Sequence, residues 1–275
     1  MFKIVSDSSC DIFNVEGVEF NSVPLKIIAG DKEFCDLCDA DVYEMVTFLK
    51  DYKDKSGSSC PSSADWLEAF SGADEIFAVT ITSGLSGSFN SASVAANMYM
   101  EQNPDSKVYV IDSLSAGPEM TLMVEKIAEL HKEGKSFDEI KNEITEYKKS
   151  TGLCFMLESL KNLANNGRVS HTVSAIANIL GIRLIGKASD EGTLEPLVKS
   201  RGEKKAISSL IKAMIDEGYM GKKVIISHCF NEEAANMVKK KISELFLSAK
   251  VKIQKTGVLC SFYAEEGGLL VGFEK

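Results

Sequence analysis

Three short apolar runs in the first half of the chain alternate with amphipathic segments, and this alternation restricts the fold more than any other feature. The runs cover residues 2–6, 76–82 and 107–111, are rich in β-branched residues and end in polar ones. Buried parallel strands have this pattern, and parallel strands are joined by crossovers that are usually helical. The sequence therefore predicts an α/β domain with a parallel sheet over residues 1–150.

The second half of the chain contains more predicted strands for each helix. Two long helical patterns, at residues 203–216 and 232–246, lie among six apolar stretches, which are 152–157, 183–188, 194–198, 223–228, 251–257 and 268–273. We therefore predict a smaller α/β domain with a mixed sheet over residues 151–275. A small ligand is expected in the cleft between the two domains.

Composition narrows the classes of partner. The 275 residues carry a net charge of −9 and contain no basic cluster, which disfavours nucleic acid and anionic membranes as partners. No apolar run approaches the roughly 20 residues that span a bilayer. A predicted strand begins directly after Met1, which leaves no room for a signal peptide. We expect a soluble, cytoplasmic protein without an integral membrane segment.

Seven cysteines are scattered along the chain, and an odd number leaves at least one unpaired. Cys35 and Cys38 have a metal or redox spacing, but the chain has no second pair of this kind to complete a zinc site. The segment around them is rich in Gly, Asp, Lys and Glu and is predicted to be a loop, unlike a thioredoxin-like motif. We predict reduced thiols, no metal site and no cofactor.

Four loops rich in hydroxyl groups and small residues follow predicted strands or precede predicted helices, and they cover residues 6–11, 56–62, 82–88 and 112–117. Loops at the carboxyl ends of parallel strands converge on one crevice, where helix N-termini offer free N–H groups. Hydroxyls and amides without a lysine cluster suit one small anion such as a carboxylate. Taken singly, each loop is better explained by helix capping; four loops at one sheet edge favour a binding crevice.

A serine hydrolase is the enzymatic alternative. The segment 83–87 reads S-G-L-S-G and lacks the first glycine of a G-x-S-x-G nucleophile elbow. Among the three histidines, His131 lies in a charged helical segment, His171 follows a polar loop, and His228 ends a predicted strand and is the best candidate base. No carboxylate partner for His228 is evident, and no nucleotide-binding motif is present. We predict that the chain has no catalytic residues.

Several loops match, in order, the motifs of one family. The matching segments are 6–11 (similar to S-D-S-x-x-D), 58–62 (T-S-Q-P-S), 85–92 (L-S-G-T-Y-x-S-A), Asp112-Ser113, 166–170 (G-G-R-[IV]-S), Gly192-x-Leu194 and 199–206. Each motif is weak alone, but together and in this order they are specific. The chain resembles the DegV family, the bacterial fatty-acid-binding proteins that include the fatty acid kinase B subunits.

This resemblance implies a two-domain DegV-like fold with a Rossmann-like N-terminal domain. It implies a long-chain fatty acid buried in a tunnel under that domain, with its carboxylate at the domain cleft held by Ser58, Ser59 and Ser86. An unpaired buried carboxylate would be costly, so hydroxyl and amide donors suit this place. The resemblance also implies a lipid carrier that presents the fatty acid to a separate ATP-dependent fatty acid kinase subunit.

Two arginines also match family positions. Arg201 resembles a residue that serves kinase-dependent transfer or docking, and Arg168 is equally explained by site support and by an interdomain ion pair. The tunnel wall is expected to come from apolar residues of the N-terminal helices, including Phe89, Met98, Met120 and Met123. These four residues suit a packed core equally well.

The C-terminal family signature H-x-G-P-G is broken in this chain. Counting from Gly257, Tyr263 stands at the histidine, Glu265 at the first glycine and Glu266 at the proline. A tyrosine hydroxyl is able to donate to a carboxylate but carries no positive charge near neutral pH, as a histidine does. We expect both glutamates to face solvent, because an inward carboxylate would repel the ligand.

Three functions therefore remain. The favoured one is a fatty-acid carrier whose carboxylate site consists of Ser58, Ser59, Ser86 and Tyr263. The second is a divergent paralogue that binds another amphiphile without coupling to a kinase. The third is a serine-dependent hydrolase of small acids with His228 as base.

Overall fold

The computed structural model describes residues 1–170 and 181–275. Up to residue 150 its elements are β1 (Phe2–Asp7), a 3-10 helix (Ser8–Cys10), β2 (Glu19–Val23), β3 (Lys26–Ala29), β4 (Lys32–Cys35), α1 (Val42–Asp51), β5 (Ser56–Ser59), α2 (Ser63–Phe70), β6 (Glu75–Thr80), α3 (Ser88–Gln102), β7 (Lys107–Asp112), α4 (Pro118–Lys132) and α5 (Phe137–Lys149). After residue 150 they are β8 (Thr151–Leu157), α6 (Lys161–Asn165), β9 (Ile182–Ala188), β10 (Leu194–Arg201), α7 (Glu203–Asp216), β11 (Lys223–His228), α8 (Glu232–Leu245), β12 (Lys250–Lys255), α9 (Val258–Ala264) and β13 (Leu269–Glu274).

The predicted parallel sheet is confirmed. Its four strands have the order β2-β1-β6-β7, and each neighbouring pair is parallel. The central strands β1 and β6 are buried on both faces, as their continuous apolar sequences predict. Because the strands are parallel, the loops after β1, β6 and β7 emerge at one edge of the sheet.

A second, three-stranded antiparallel sheet with the order β4-β3-β5 was not predicted. Its strands have four residues each, and β5 (Ser56–Ser59) contains no apolar residue, so no apolar alternation marks it. Gly30, at a φ of +63°, turns the chain between β3 and β4. The segment that ends in Cys35 is therefore a hairpin strand, and the prediction of a loop there is wrong.

The mixed sheet after residue 150 is also confirmed. It has six strands in the order β10-β9-β8-β13-β11-β12, of which only the β11–β12 pair is parallel among the described residues. The helical patterns at 203–216 and 232–246 form α7 and α8 and cover a buried apolar cluster on this sheet. The domain boundary at residue 150 stays a prediction.

Two helices connect the two halves of the molecule. Helix α4 contacts β6 of the parallel sheet and also β11 and β13 of the mixed sheet. Helix α9 comes from the second half of the sequence but packs against β3, α1 and the 3-10 helix of the first half. Its residues Val258, Leu259 and Phe262 belong to the apolar core of the first half. The fold therefore inserts α9 at the junction between the parallel and mixed sheets.

Candidate functional site

An apolar cavity lies between the parallel sheet and the mixed sheet. Small-molecule sites are typically concave and mostly apolar, as this one is. Its apolar wall comes from both halves of the chain, namely from Leu25, Ile81, Leu85, Ala116, Leu153, Phe155, Leu157, Leu163, Ala188, Leu194, Leu259, Ala264 and Leu270. The ligand cleft that the sequence predicts between two domains corresponds to this cavity.

Four polar residues in the wall form what we call the polar cluster, and they are Ser58, Ser86, Arg168 and Tyr263. The Ser58 and Tyr263 hydroxyls share a hydrogen bond of 2.6 Å. The Arg168 guanidinium lies 6.0 Å from the centroid of the Tyr263 ring. The cluster therefore combines hydroxyl groups with one positive charge beside an apolar space, which is an arrangement suited to a carboxylate.

Arg168 is held by backbone carbonyls. Its Nε donates to Leu85 O at 3.3 Å, and a terminal guanidinium nitrogen donates to Asn166 O. Since Leu85 belongs to the loop after β6, the first of these bonds joins the two halves of the chain. Within residues 1–170 and 181–275, Arg168 makes no ion pair, so its charge is available to an anion in the cavity.

Ser86 lies in the loop that follows β6, and its Oγ accepts a hydrogen bond of 3.3 Å from Ser88 N. The buried carboxylate of Asp7 holds this loop by hydrogen bonds. Asp7, at the end of β1, accepts from Ile81 N at 2.9 Å and from the Ser88 hydroxyl at 2.6 Å. Burial raises the pKa of Asp7, and these hydrogen bonds lower it in part. The β1 and β6 loops are thus joined at the sheet edge, as the sequence predicts.

The turn between β9 and β10 of the mixed sheet forms one side of the cavity. Gly192 has a φ of +73°, and a Cβ at this position would overlap Thr82 Oγ1. Both the backbone conformation and the close approach therefore require glycine. Gly192 and Thr82 are both part of the cavity wall, so the matching Gly192-x-Leu194 motif is the place where the second half meets the β6 loop.

Two predicted site residues do not line the cavity. Ser59 is exposed, and its hydroxyl donates to Cys60 O at 3.3 Å, because side chains alternate along β5 and Ser58 occupies the inward position. Arg201 is exposed at the end of β10, while Leu194 at the start of that strand lines the cavity. Eight strand residues separate the two ends by roughly 20 Å. Ser59 and Arg201 therefore do not line the cavity, and their assignment to the site stays a prediction.

None of the four residues suggested for the tunnel wall lines this cavity. Met120 and Met123 are buried in the apolar core around α4, Met98 is exposed on α3, and Phe89 does not line the cavity. The wall comes instead from β8, the β9–β10 hairpin, α9 and the loops at the sheet edge. Sequence patterns identify apolar residues but do not tell which of them pack against each other and which border a space.

The two glutamates of the altered signature have different places. Glu266 is exposed and pairs with Lys50 across the surface, as expected. Glu265 is half-buried with a φ of +55°, and its Oε1 accepts from Asn162 N at 3.1 Å at the start of α6. Burial raises its pKa. The expectation that Glu265 faces solvent is therefore wrong, but its carboxylate is turned to α6 and is not part of the cavity wall.

The remaining candidate residues lie away from the cavity. His228 is buried at the end of β11, and its Nδ1 accepts a hydrogen bond of 3.3 Å from Asn231 N. Burial lowers its pKa. His171 lies outside the described residues. Within residues 1–170 and 181–275, no cluster of His, Cys, Asp and Glu is arranged to hold a metal ion, and no helix is long and apolar enough to cross a membrane.

Sequence reasoning missed the contribution of α9 to the site. This helix supplies Leu259, Cys260 and Ala264 to the wall in addition to Tyr263. Its first amides are bound by the buried carboxylates of Asp11 and Asp36. Asp11 belongs to the S-D-S-S-C-D motif, which was a usable signal, whereas Asp36 stands between two cysteines without any recognisable pattern.

Comparison with known proteins agrees with this architecture. Residues 1–275 match the family model described as "Uncharacterised protein, DegV family COG1307". A DegV domain-containing protein of Streptococcus pneumoniae is 44% identical over 277 residues, which cover 99% of each chain.

Two solved structures are similar over the whole fold. A DegV family protein from Eubacterium eligens, loaded with heptadecanoic acid, is 44% identical with a TM-score of 0.98, and the match covers 100% of both chains. The Streptococcus pneumoniae Fatty Acid Kinase (Fak) B3 protein, loaded with linoleic acid, is 44% identical with a TM-score of 0.98 over 99% of both chains.

Proposed function

The chain belongs to the DegV family, and we propose that it binds a long-chain fatty acid in the cavity between its two large sheets. The observation that carries this proposal is the polar cluster, in which Ser58 and Tyr263 share a hydrogen bond beside the Arg168 guanidinium in a largely apolar wall. The heptadecanoic acid and linoleic acid in two similar structures support the same class of ligand.

The cavity suits the two parts of a fatty acid. Each methylene group that leaves water contributes about 0.8 kcal/mol, so an acyl chain gains most of its binding free energy from the apolar wall. The carboxylate would be strongly disfavoured in that wall unless donors met it. Hydroxyls of Ser58, Ser86 and Tyr263 supply hydrogen bonds, and Arg168 supplies the opposite charge.

We further propose that the protein acts as a carrier and has no catalytic activity of its own. The hydrolase alternative needs a base beside a serine of the cavity, and His228, its candidate, is not part of the cavity wall. A separate fatty acid kinase subunit would act on the carboxylate, in line with the similarity to the Fak B3 protein. Arg201, which is exposed and distant from the wall, is proposed to serve docking of that subunit.

Tyr263 does not by itself separate a kinase-coupled carrier from a divergent amphiphile-binding paralogue. The two functions differ in what the loaded protein does next. In the carrier function, adding the kinase subunit and ATP yields an acyl phosphate from the bound lipid. In the paralogue function, the lipid stays bound and unchanged, or the lipid is not a fatty acid.

The first experiment is native mass spectrometry of the protein purified from bacterial cells, followed by organic extraction and identification of the released lipid. A single adduct with the mass of a fatty acid supports the proposal and identifies the acyl chain. An empty protein that also fails to bind added oleic acid would overturn it.

A matched pair of variants then separates binding from docking. Arg168→Gln removes the positive charge of the cavity, whereas Arg201→Gln removes an exposed charge outside it. We expect Arg168→Gln to weaken oleic acid binding and Arg201→Gln to leave binding unchanged while it slows acyl phosphate formation with the kinase subunit. Equal effects of the two variants on binding would contradict the assignment of Arg168 to the carboxylate.

A further inference from the structure

Helix α9 determines a large part of the cavity wall. It contributes the side chains of Leu259, Cys260, Tyr263 and Ala264. Leu259 and Tyr263 are four residues apart and therefore lie on the same face of the helix. A displacement of the start of α9 is thus transmitted directly to the Tyr263 hydroxyl, which bonds to Ser58.

The start of α9 is held by two carboxylates from the first half of the chain. Asp36 accepts from Val258 N at 2.7 Å with Oδ1 and from Leu259 N at 3.1 Å with Oδ2. Asp11 Oδ1 accepts from Gly257 N at 2.8 Å. The first N–H groups of an α-helix have no acceptor within the helix. At the start of α9, three successive N–H groups donate instead to side chains more than 200 residues away in the sequence.

Asp36 is itself fixed in place. Its N–H donates to Leu25 O at 2.9 Å, and Leu25 lines the cavity. Asp36 is 1% exposed and makes no ion pair with any other residue that the structure describes. Both of its oxygens are thus committed to α9, which is a costly use of a buried carboxylate. Asp41 offers a contrast, because it caps α1 at the surface through Glu44 N, and α1 contributes nothing to the cavity wall.

We propose that Asp36 is a positioning residue for fatty-acid binding, which holds α9 so that the Tyr263 hydroxyl stands at Ser58 in the polar cluster without itself touching the ligand. This inference rests on the proposed function. Asp11 supports the same end of the helix through one amide. The affinity of the cavity for a ligand carboxylate therefore depends on the Asp36 carboxylate, which is not itself part of the cavity wall.

The test compares wild type with the Asp36→Asn variant, the Tyr263→Phe variant and the double variant. For each protein, displacement of a fluorescent fatty acid measures the affinity for oleic acid and for the primary alcohol with the same hydrocarbon chain. Asp36→Asn turns one acceptor into an N–H₂ donor that faces an amide. We expect a loss of about tenfold for oleic acid, equivalent to one or two hydrogen bonds, and less than about twofold for the alcohol. In the Tyr263→Phe background, Asp36→Asn causes no further loss.

Controls keep the outcomes distinct. Asp41→Asn, the same substitution at a helix cap outside the cavity wall, leaves the ratio of acid to alcohol affinity unchanged. If Asp36→Asn does not fold, Asp36→Glu keeps both acceptors but shifts α9 by one methylene, and the same acid-specific loss is expected. Equal losses for both ligands, together with additive effects of Asp36→Asn and Tyr263→Phe, would show a merely structural role. A wild type that binds no oleic acid would instead overturn the proposed function.

Discussion

The loops after β1 and β6 have similar serine-rich sequences but different roles. In the β1 loop the hydroxyls bond within the protein, because Ser8 Oγ accepts from Leu25 N at 3.0 Å and the Ser9 hydroxyl donates to Asp7. In the β6 loop, Ser86 lines the cavity. A serine-rich loop at the sheet edge thus identifies the right edge, but neighbouring chain segments decide whether its hydroxyls face protein or ligand.

The largest effect is expected from the carboxylate that joins the two loops. Asp7→Ala leaves Ile81 N and the Ser9 and Ser88 hydroxyls without their acceptor inside a fully buried site. We expect the free energy of unfolding to fall by about 3 kcal/mol or more, since each buried unsatisfied group costs about 1–3 kcal/mol. Urea denaturation measures this loss. A loss below about 1 kcal/mol would mean that water replaces the carboxylate and that the loops are held independently.

The second-largest effect is expected from a substitution in the polar cluster, which does not alter the β1 loop. Arg168→Gln removes the only positive charge that residues 1–170 and 181–275 contribute to the cavity wall, and a hydrogen bond to a charged group contributes about 1.5–3 kcal/mol. Titration calorimetry with oleic acid is expected to show a weakening of roughly 10- to 100-fold. The thermal midpoint of the ligand-free protein changes little in comparison. An unchanged affinity would place the carboxylate elsewhere in the cavity.

The third prediction concerns the pH dependence of stability, to which the buried carboxyl group of Asp11 in the β1 loop contributes. Burial raises the pKa of Asp11 to about 8, with backbone hydrogen bonding from Gly257 lowering it and the charge of Asp36 raising it. A pKa above the unfolded value of 3.8 means that the folded state binds the proton more tightly. This contribution to stability is complete below the unfolded pKa and is lost as the pH rises through about 8.

Asp11→Asn keeps an acceptor for Gly257 N but removes the titration. We expect the stability difference between about pH 5 and about pH 8 to shrink by on the order of 2 kcal/mol. Urea denaturation at the two pH values measures it. The carboxyl of Asp36, whose pKa burial raises to about 6, and that of Asp7 retain their own part of the slope. An identical pH profile for wild type and variant would contradict the assignment of this titration to Asp11.

The smallest effects distinguish individual hydroxyls. Ser8→Ala orphans Leu25 N and is expected to cost about 1–2 kcal/mol of stability without a direct effect on the affinity for oleic acid. Ser86→Ala is expected to weaken oleic acid binding by about tenfold or less and, because Ser88 N loses its acceptor, to lower stability by about 1 kcal/mol. Ser59→Ala, at an exposed hydroxyl, changes neither property. A Ser59→Ala loss as large as that of Ser86→Ala would mean that Ser58 and Ser59 both contact the ligand.

The sequence predicted those elements that have a strong period. Three of the four parallel strands, the long helices and the mixed sheet were predicted, since buried strands and amphipathic helices carry apolar residues at characteristic spacings, whereas β2 (Glu19–Val23) was not predicted. The antiparallel sheet of β3, β4 and β5 was missed because strands of four residues without apolar alternation carry no such signal. Ser58 and Ser59 show the consequence, since their opposite orientations follow from β5 being a strand.

Three of the four residues in the polar cluster, namely Ser58, Ser86 and Tyr263, were predicted as carboxylate ligands from their motifs, and Arg168 was predicted as a residue that supports the site. The cavity wall was not predicted. Its residues come from strands, loops and a helix that are far apart in the sequence, and a local pattern contains no information about a space that they enclose together. Met120 and Leu153 are both apolar and buried, but Leu153 alone of the two borders the cavity.

The amino-acid sequence by itself therefore determined the fold class, the family and the sheet edge at which hydroxyl groups collect. Local propensity and hydrophobic periodicity depend on residues that are close together in the chain, so both can be recognised from the sequence. The tertiary structure alone decided that α9 enters the first half and that Asp36 binds its amides. Such contacts depend on how distant segments pack, and a buried hydrogen bond forms only where packing has already brought donor and acceptor together.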